Sequence, residues 1–168
     1  MRLSAAFFHD AVQPLADARL GRGGYAAALL GAGSEVLGLD DEMSADHDWG
    51  PRVALFVPPD AATEAAAIEA ELPDSFQGVS RRFGAAAGGA PWVQPFEVAT
   101  VGTYFRTWIG FSDAKDATLA DWLAHPAMSF LAVTAGEVFH DGIGDLTRAR
   151  ADADWYPDDI WRWLVACH

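Results

Sequence analysis

Residues 25–57 read YAAALLGAGSEVLGLDDEMSADHDWGPRVALFV, and the fold turns on this stretch. Tyr25 to Leu30 is a short apolar run of the kind that forms a buried strand. Gly31-Ala32-Gly33-Ser34 breaks it, and Glu35-Val36-Leu37 starts a single helical turn. Leu39 to Ser44 is polar and loop-like. Asp46 to Val57 then reads as a second strand, ending in an apolar run that Pro58-Pro59 stops.

Working outward, Phe7 to Leu15 has apolar residues at helical spacing, and Pro14 is expected to bend or end that helix. Asp60 is placed to cap a helix from Ala61 to about Leu72, with Pro73 after its end. Phe76 to Ala90 reads as loop-rich, with Arg81-Arg82 as its basic cluster. Trp92 to Val101 reads as a further strand, which Pro95 assigns to an edge or bulge. Leu119 to about Val133 is helical, divided at Pro126. Gly136 to Leu146 reads as a hairpin turning at Asp141-Gly142.

From Pro157 a last helix begins with Asp158 and Asp159 in its first turn. Its apolar stripe of Ile160, Trp161, Leu164 and Val165 is still running at the end of the sequence. The expected organisation is therefore a core over residues 1–150 and the start of a further helical segment over residues 151–168. Alternating helices and strands predict an α/β or α+β domain with a mixed sheet.

The bulk numbers agree with one ordinary domain. The chain has 168 residues, 51% of them hydrophobic, with seven Trp and ten Phe to fill a core. Cys167 has no partner for an intramolecular disulfide, which removes any sign of an oxidising compartment. Leu3 to Phe8 is too short for a signal-peptide core. No run approaches the roughly 20 apolar residues that a membrane-spanning helix needs. A cytoplasmic protein is expected. With 24 acidic residues against 11 basic ones, a net charge of −13 argues against a groove for long nucleic acid.

One constellation carries chemistry. In a strand, alternate side chains share a face, so Asp46 and Asp48 point the same way. Two adjacent carboxylates repel each other unless a cation lies between them. Mg²⁺ suits them, since it takes oxygen ligands and binds through one or two carboxylates plus substrate phosphates. Gly33 and Ser34 offer backbone N–H groups and a hydroxyl as a phosphate cradle. Arg52 shares the strand parity of the two aspartates and is a candidate phosphate contact.

Gly33-Ser34, a short spacer, then Asp46-His47-Asp48 resembles the signature of the nucleotidyltransferase superfamily. That superfamily includes DNA polymerase β, kanamycin nucleotidyltransferase and the minimal nucleotidyltransferases. The string GSEVLGLDDEMSADHDWGPR, with TAGEVFHDGIGDL and WYPDDIW downstream, is similar to a bacterial family of predicted nucleotidyltransferases. The resemblance implies a nucleotidyltransferase-like mixed sheet flanked by helices. It also implies transfer of a nucleoside monophosphate from a triphosphate, ATP being the one expected, to a small-molecule or protein acceptor.

In such enzymes two Mg²⁺ ions, on the order of 4 Å apart, align the acceptor and stabilise the departing pyrophosphate. A third carboxylate comes from a later strand, and Glu97 is the candidate. Asp46, Asp48 and Glu97 are thus the expected catalytic and metal-binding residues, with Gly33, Ser34 and Arg52 on the nucleotide. The acidic spacer from Leu39 to Met43 departs from members that carry Arg or Lys there.

Plainer readings stand beside these. The aspartates are also what a solvated strand end looks like, Gly33-Ser34 a structural turn, Glu97 an exposed strand residue and Arg52 a salt-bridge partner. His47 has the parity of a core histidine. Trp155, Tyr156, Trp161 and Trp163 read as packing surface. The third glycine of a dinucleotide fingerprint is missing at Val36, no Lys completes a P-loop, and Ser34 lacks a hydrolase elbow. Two other functions compete with transfer. One is a catalytically inactive nucleotide-binding or interaction module of the same fold. The other is a metal-dependent phosphohydrolase, suggested by His9-Asp10, His47-Asp48 and His140-Asp141.

Overall fold

The computed structural model describes residues 2–39, 50–81 and 94–167. Its strands are β1 (Ala26–Ala28), β2 (Val53–Phe56), β3 (Ser75–Phe76), β4 (Val79–Ser80), β5 (Phe96–Ala99) and β6 (Val138–Asp141). Its helices are α1 (Arg2–Phe7), α2 (Gln13–Leu20), α3 (Ala62–Ala67), α4 (Val101–Ile109), α5 (Leu119–Ala124), α6 (Ala127–Thr134), α7 (Asp145–Ala153) and α8 (Asp158–Ala166). The domain is mixed α/β, as the alternation predicts.

Four strands make the main sheet in the order β5-β2-β1-β6. β1 runs antiparallel to β2 and β6, while β2 and β5 are parallel. Strand alternation sends Ala54 and Phe56 to one face of β2, and Val53 and Leu55 to the other. Both faces are covered. Phe7, Phe8 and Val12 at the N-terminus and Ala65 and Ile68 near α3 pack on one side. Tyr104, Phe105, Trp122, Phe130, Leu146 and Ile160 pack on the other. Burial on both faces explains why β1 and β2 read as continuous apolar runs and not as alternating ones. β5 is an edge strand, as Pro95 requires, and the Pro95 carbonyl accepts from the Val53 amide at 3.0 Å.

Several local expectations need correction. Pro14 does not end the first helix. Residues Phe8–Val12 form a π-turn, and α2 continues from Gln13 to Leu20. The wider turn closes with the Gln13 amide on the Phe8 carbonyl, just ahead of a proline that has no amide to donate. Asp60 is not a cap either: it lies inside a short 3₁₀ turn, Pro59–Ala61, and α3 follows without a side-chain cap. Within the loop-rich stretch after Phe76, a short strand pair was not foreseen. β3 and β4 form a small hairpin around Gln77-Gly78, both of positive φ. Arg81 beside it is buried, donating to the Pro73 carbonyl at 3.1 Å.

The expected hairpin over residues 136–146 is also absent. Only Val138–Asp141 is strand, and it pairs with β1, more than 100 residues earlier in the chain. The Asp141 carboxylate accepts from the amides of Gly144 and Thr147, at 2.8 and 2.7 Å, and so starts α7. The division at Pro126 and the start of the last helix after Pro157 are as read from the sequence. Among the described residues, no helix is long and apolar enough to cross a membrane.

Candidate functional site

The parallel register sets Ala54 beside Glu97, so the glutamate shares the face of the sheet that carries Ala28 and Ala54. Methyl side chains at those two positions leave space that larger residues would fill. The result is a cleft of about 200 Å³. Gly31, Ala32, Arg52, Glu97, Tyr104 and Trp108 are among its walls. Residues far apart in sequence thus meet where β1 ends, where β2 begins, and along α4.

Glu97 is half-buried. Burial raises its carboxyl pKa, and the nearby charge of Arg52 opposes that rise. A carboxylate drawn out of water, with only a partial counter-charge, is poised to take a cation or hold a proton. Tyr104 is buried beside it. Desolvation raises the pKa of its phenol, and the charge of Glu97 adds to the effect.

The bend after β1 is built around Arg52. Its Nε donates to the Glu35 carboxylate and its Nη2 to the Ala32 carbonyl. Its own backbone amide donates to Ser4 Oγ at 3.3 Å, which ties the strand entry to α1. Gly33 sits at φ +124°, and a Cβ there would fall 2.8 Å from Arg52 Nη2. Gly31 sits at φ +95°, where a Cβ would lie 3.0 Å from the Tyr104 hydroxyl and 3.2 Å from the Trp108 ring. Only glycine combines that backbone with so close an approach.

Ser34 then opens a tight turn. The amides of Val36, Leu37 and Gly38 donate to the carbonyls of Gly33, Ser34 and Glu35 at 3.1–3.2 Å. The Gly31 amide is used by the Ala132 carbonyl at 2.8 Å. Between these, the amides of Ala32, Gly33, Ser34 and Glu35 meet no backbone acceptor among the described residues. A run of unpaired N–H groups at a bend is a fit place for an anion.

Of the residues expected from sequence, Arg52 and Glu97 line one cleft, and Gly33 and Ser34 form the bend behind it. Asp46 and Asp48 lie outside the described residues, as do His47, the acidic residues Asp40 to Glu42, and Arg82. The chain that carries the two aspartates joins Leu39, bonded into the bend through the Ser34 carbonyl at 2.9 Å, to Arg52 in the cleft wall. Among the described residues no cluster of three His, Cys, Asp or Glu side chains forms a metal site.

Sequence reasoning missed the aromatic wall. α4 carries Tyr104 and Trp108, and neither was singled out. The signal is present: Thr100 caps the helix by accepting from the Thr103 amide at 3.0 Å, and Gly110 closes it in the left-handed region.

Residues 122–168 match a domain of unknown function, DUF4037. No curated protein and no solved structure matches the chain. The matched segment runs from within α5 through α8, beyond the bend and the cleft.

Proposed function

We propose that the chain is a Mg²⁺-dependent nucleotidyltransferase, moving a nucleoside monophosphate from a nucleoside triphosphate such as ATP to a small-molecule or protein acceptor. One observation carries the reading: Glu97, from an edge strand, opens onto the same small cleft as Arg52 and as Gly31 and Ala32 at the start of the glycine bend, across more than 40 residues of intervening chain. A carboxylate, a bend of unpaired amides and a guanidinium are the parts needed to hold a metal-bound triphosphate.

In this reading Asp46, Asp48 and Glu97 hold Mg²⁺. The donor set fits, being oxygen alone and including a partly buried carboxylate whose charge is incompletely balanced. The metal, when bound, offsets negative charge on the phosphates as it builds up. The amides of Ala32 to Glu35, with the Ser34 hydroxyl, receive phosphate oxygens. Arg52 keeps the bend in shape while contributing positive charge to the cleft. The acceptor oxygen bonds to the α-phosphorus, the α–β bridging bond breaks, and pyrophosphate leaves with the electron pair. The acceptor's proton passes to a carboxylate, and the raised proton affinity of Glu97 suits that role. A cytoplasmic setting, where triphosphates and Mg²⁺ are abundant, belongs to the same proposal.

The experiment is to incubate the protein with each nucleoside triphosphate labelled at the α-phosphate, together with a cell extract, and to identify what becomes labelled. A labelled acceptor with matching pyrophosphate supports transfer. Free phosphate in place of pyrophosphate contradicts it and points to hydrolysis.

The engagement of Arg52 by Glu35 and Ala32 favours one second reading. With its guanidinium already committed, the same bend suits a module that binds nucleotide without turning it over. Calorimetric binding of ATP–Mg²⁺ with no pyrophosphate formed would select that reading.

A further inference from the structure

A second pocket, of about 200 Å³, lies among α5, α6 and the start of α8, away from the residues of the cleft. Trp122, Phe130 and Tyr156 form one aromatic wall. Trp122 and Phe130 stack at 5.2 Å with their planes 2° apart, and Tyr156 leans on both at 5.5 and 5.6 Å. Trp155 and Trp161 form the other wall, their rings 5.2 Å apart. These two remain 65% and 42% exposed, which is costly apolar surface to leave in water unless something covers it.

One polar feature sets the chemistry. Asp154 lines the pocket; among the described residues it makes no ion pair within 4 Å, and Arg150 attracts it only from farther away. The nearby Arg150 is turned to the carbonyls of Thr134, Ala135 and Gly136.

We infer that this pocket binds a small organic cation, an alkylammonium. Aromatic faces attract such cations through their quadrupoles, most strongly when water is excluded. The Asp154 carboxylate adds charge complementarity. Asp158 and Asp159 in the first turn of α8 and the net charge of −13 draw cations to this end of the chain. A neutral apolar ligand would use the rings but not the carboxylate. An anion would meet repulsion at the rim. The inference stands independently of nucleotidyl transfer.

The test is a titration of the full chain with choline chloride, followed by tryptophan fluorescence at constant ionic strength. The control is the uncharged carbon isostere, dimethylbutanol. Trp155→Ala and Trp161→Ala remove exposed rings, and Asp154→Asn removes only charge; far-UV circular dichroism checks that each variant is folded. Choline is expected to give a saturable change, with the isostere weaker by about tenfold and each Trp variant weaker by a similar factor. Asp154→Asn should weaken choline and leave the isostere unaffected. No saturation with choline, equal binding of the isostere, or undiminished binding by Asp154→Asn and both Trp variants would overturn the inference.

Discussion

Arg52 and Glu35 form an ion pair beneath the Gly33-Ser34 bend, with 4% and 5% of their side-chain surfaces exposed. A buried pair is strongly felt when one partner is removed, because the other charge is then stranded without water. Glu35→Ala should therefore destabilise the fold by about 3–5 kcal/mol, and Glu35→Gln by less, since its amide oxygen still accepts from the guanidinium. Urea denaturation of the three proteins measures the difference. Equal midpoints would show that the pair contributes nothing to the bend.

Gly33 is the next contact in the same assembly. Alanine there would have to adopt φ +124° and would push against Arg52 Nη2. Such backbone strain costs about 1–3 kcal/mol. Gly33→Ala should lower the thermal midpoint and, if the proposed function holds, weaken ATP–Mg²⁺ binding as well, as read by calorimetry. Gly78→Ala is the control. It has positive φ too, yet open space around it, and should cost stability alone.

Glu97 predicts a pH dependence of definite sign. Burial raises its pKa, so the folded protein holds a proton that the unfolded chain has already lost. The folded state binds more protons in that window, and stability falls as pH rises from the ordinary carboxyl range through the raised value. Glu97→Gln should flatten this fall and make the protein more stable at neutral pH. Mg²⁺ needs the ionised form, so metal affinity should rise over the same pH window and lose that rise in the variant. Thermal melts at a series of pH values, with and without Mg²⁺, separate the two effects.

Asp141 is the residue that joins the sheet to α7. Its carboxylate accepts two amide hydrogen bonds at the helix start. Asp141→Ala should cost about 0.5–2 kcal/mol, with Asp141→Asn between it and the native protein. The measurement is again a denaturation midpoint, and activity per folded molecule should be unchanged.

What the sequence made legible was local. The two apolar runs either side of Gly31 to Ser34 are strands because both of their faces are buried, and the helix division at Pro126 follows from proline chemistry alone. Glu97 was placed on a strand by its apolar neighbours, and the structure sets that strand beside β2. What stayed hidden depends on distant partners. Asp141-Gly142 carries the same residues as a hairpin turn, and only the pairing of β6 with β1 shows that it leads into a helix. The aromatic wall of the cleft needs α4 to lie across Gly31, a contact between residues more than 70 positions apart that no periodicity announces. Arg52 was legible as a salt-bridge partner of nearby acids, but only the fold shows that the acid is Glu35, across the glycine bend.

In the proposed function, carboxylates at Asp46, Asp48 and Glu97 drive release of pyrophosphate from a nucleoside triphosphate. The direct measurement is the rate of pyrophosphate formation from ATP–Mg²⁺ and cell extract by the native chain, by Glu97→Gln, and by Asp46→Asn with Asp48→Asn. Steady pyrophosphate is expected from the native chain, abolished by chelation of the metal and reduced on the order of 10³-fold or more in the double variant. A rate the same in all three proteins, or nucleotide binding without any pyrophosphate, would contradict it.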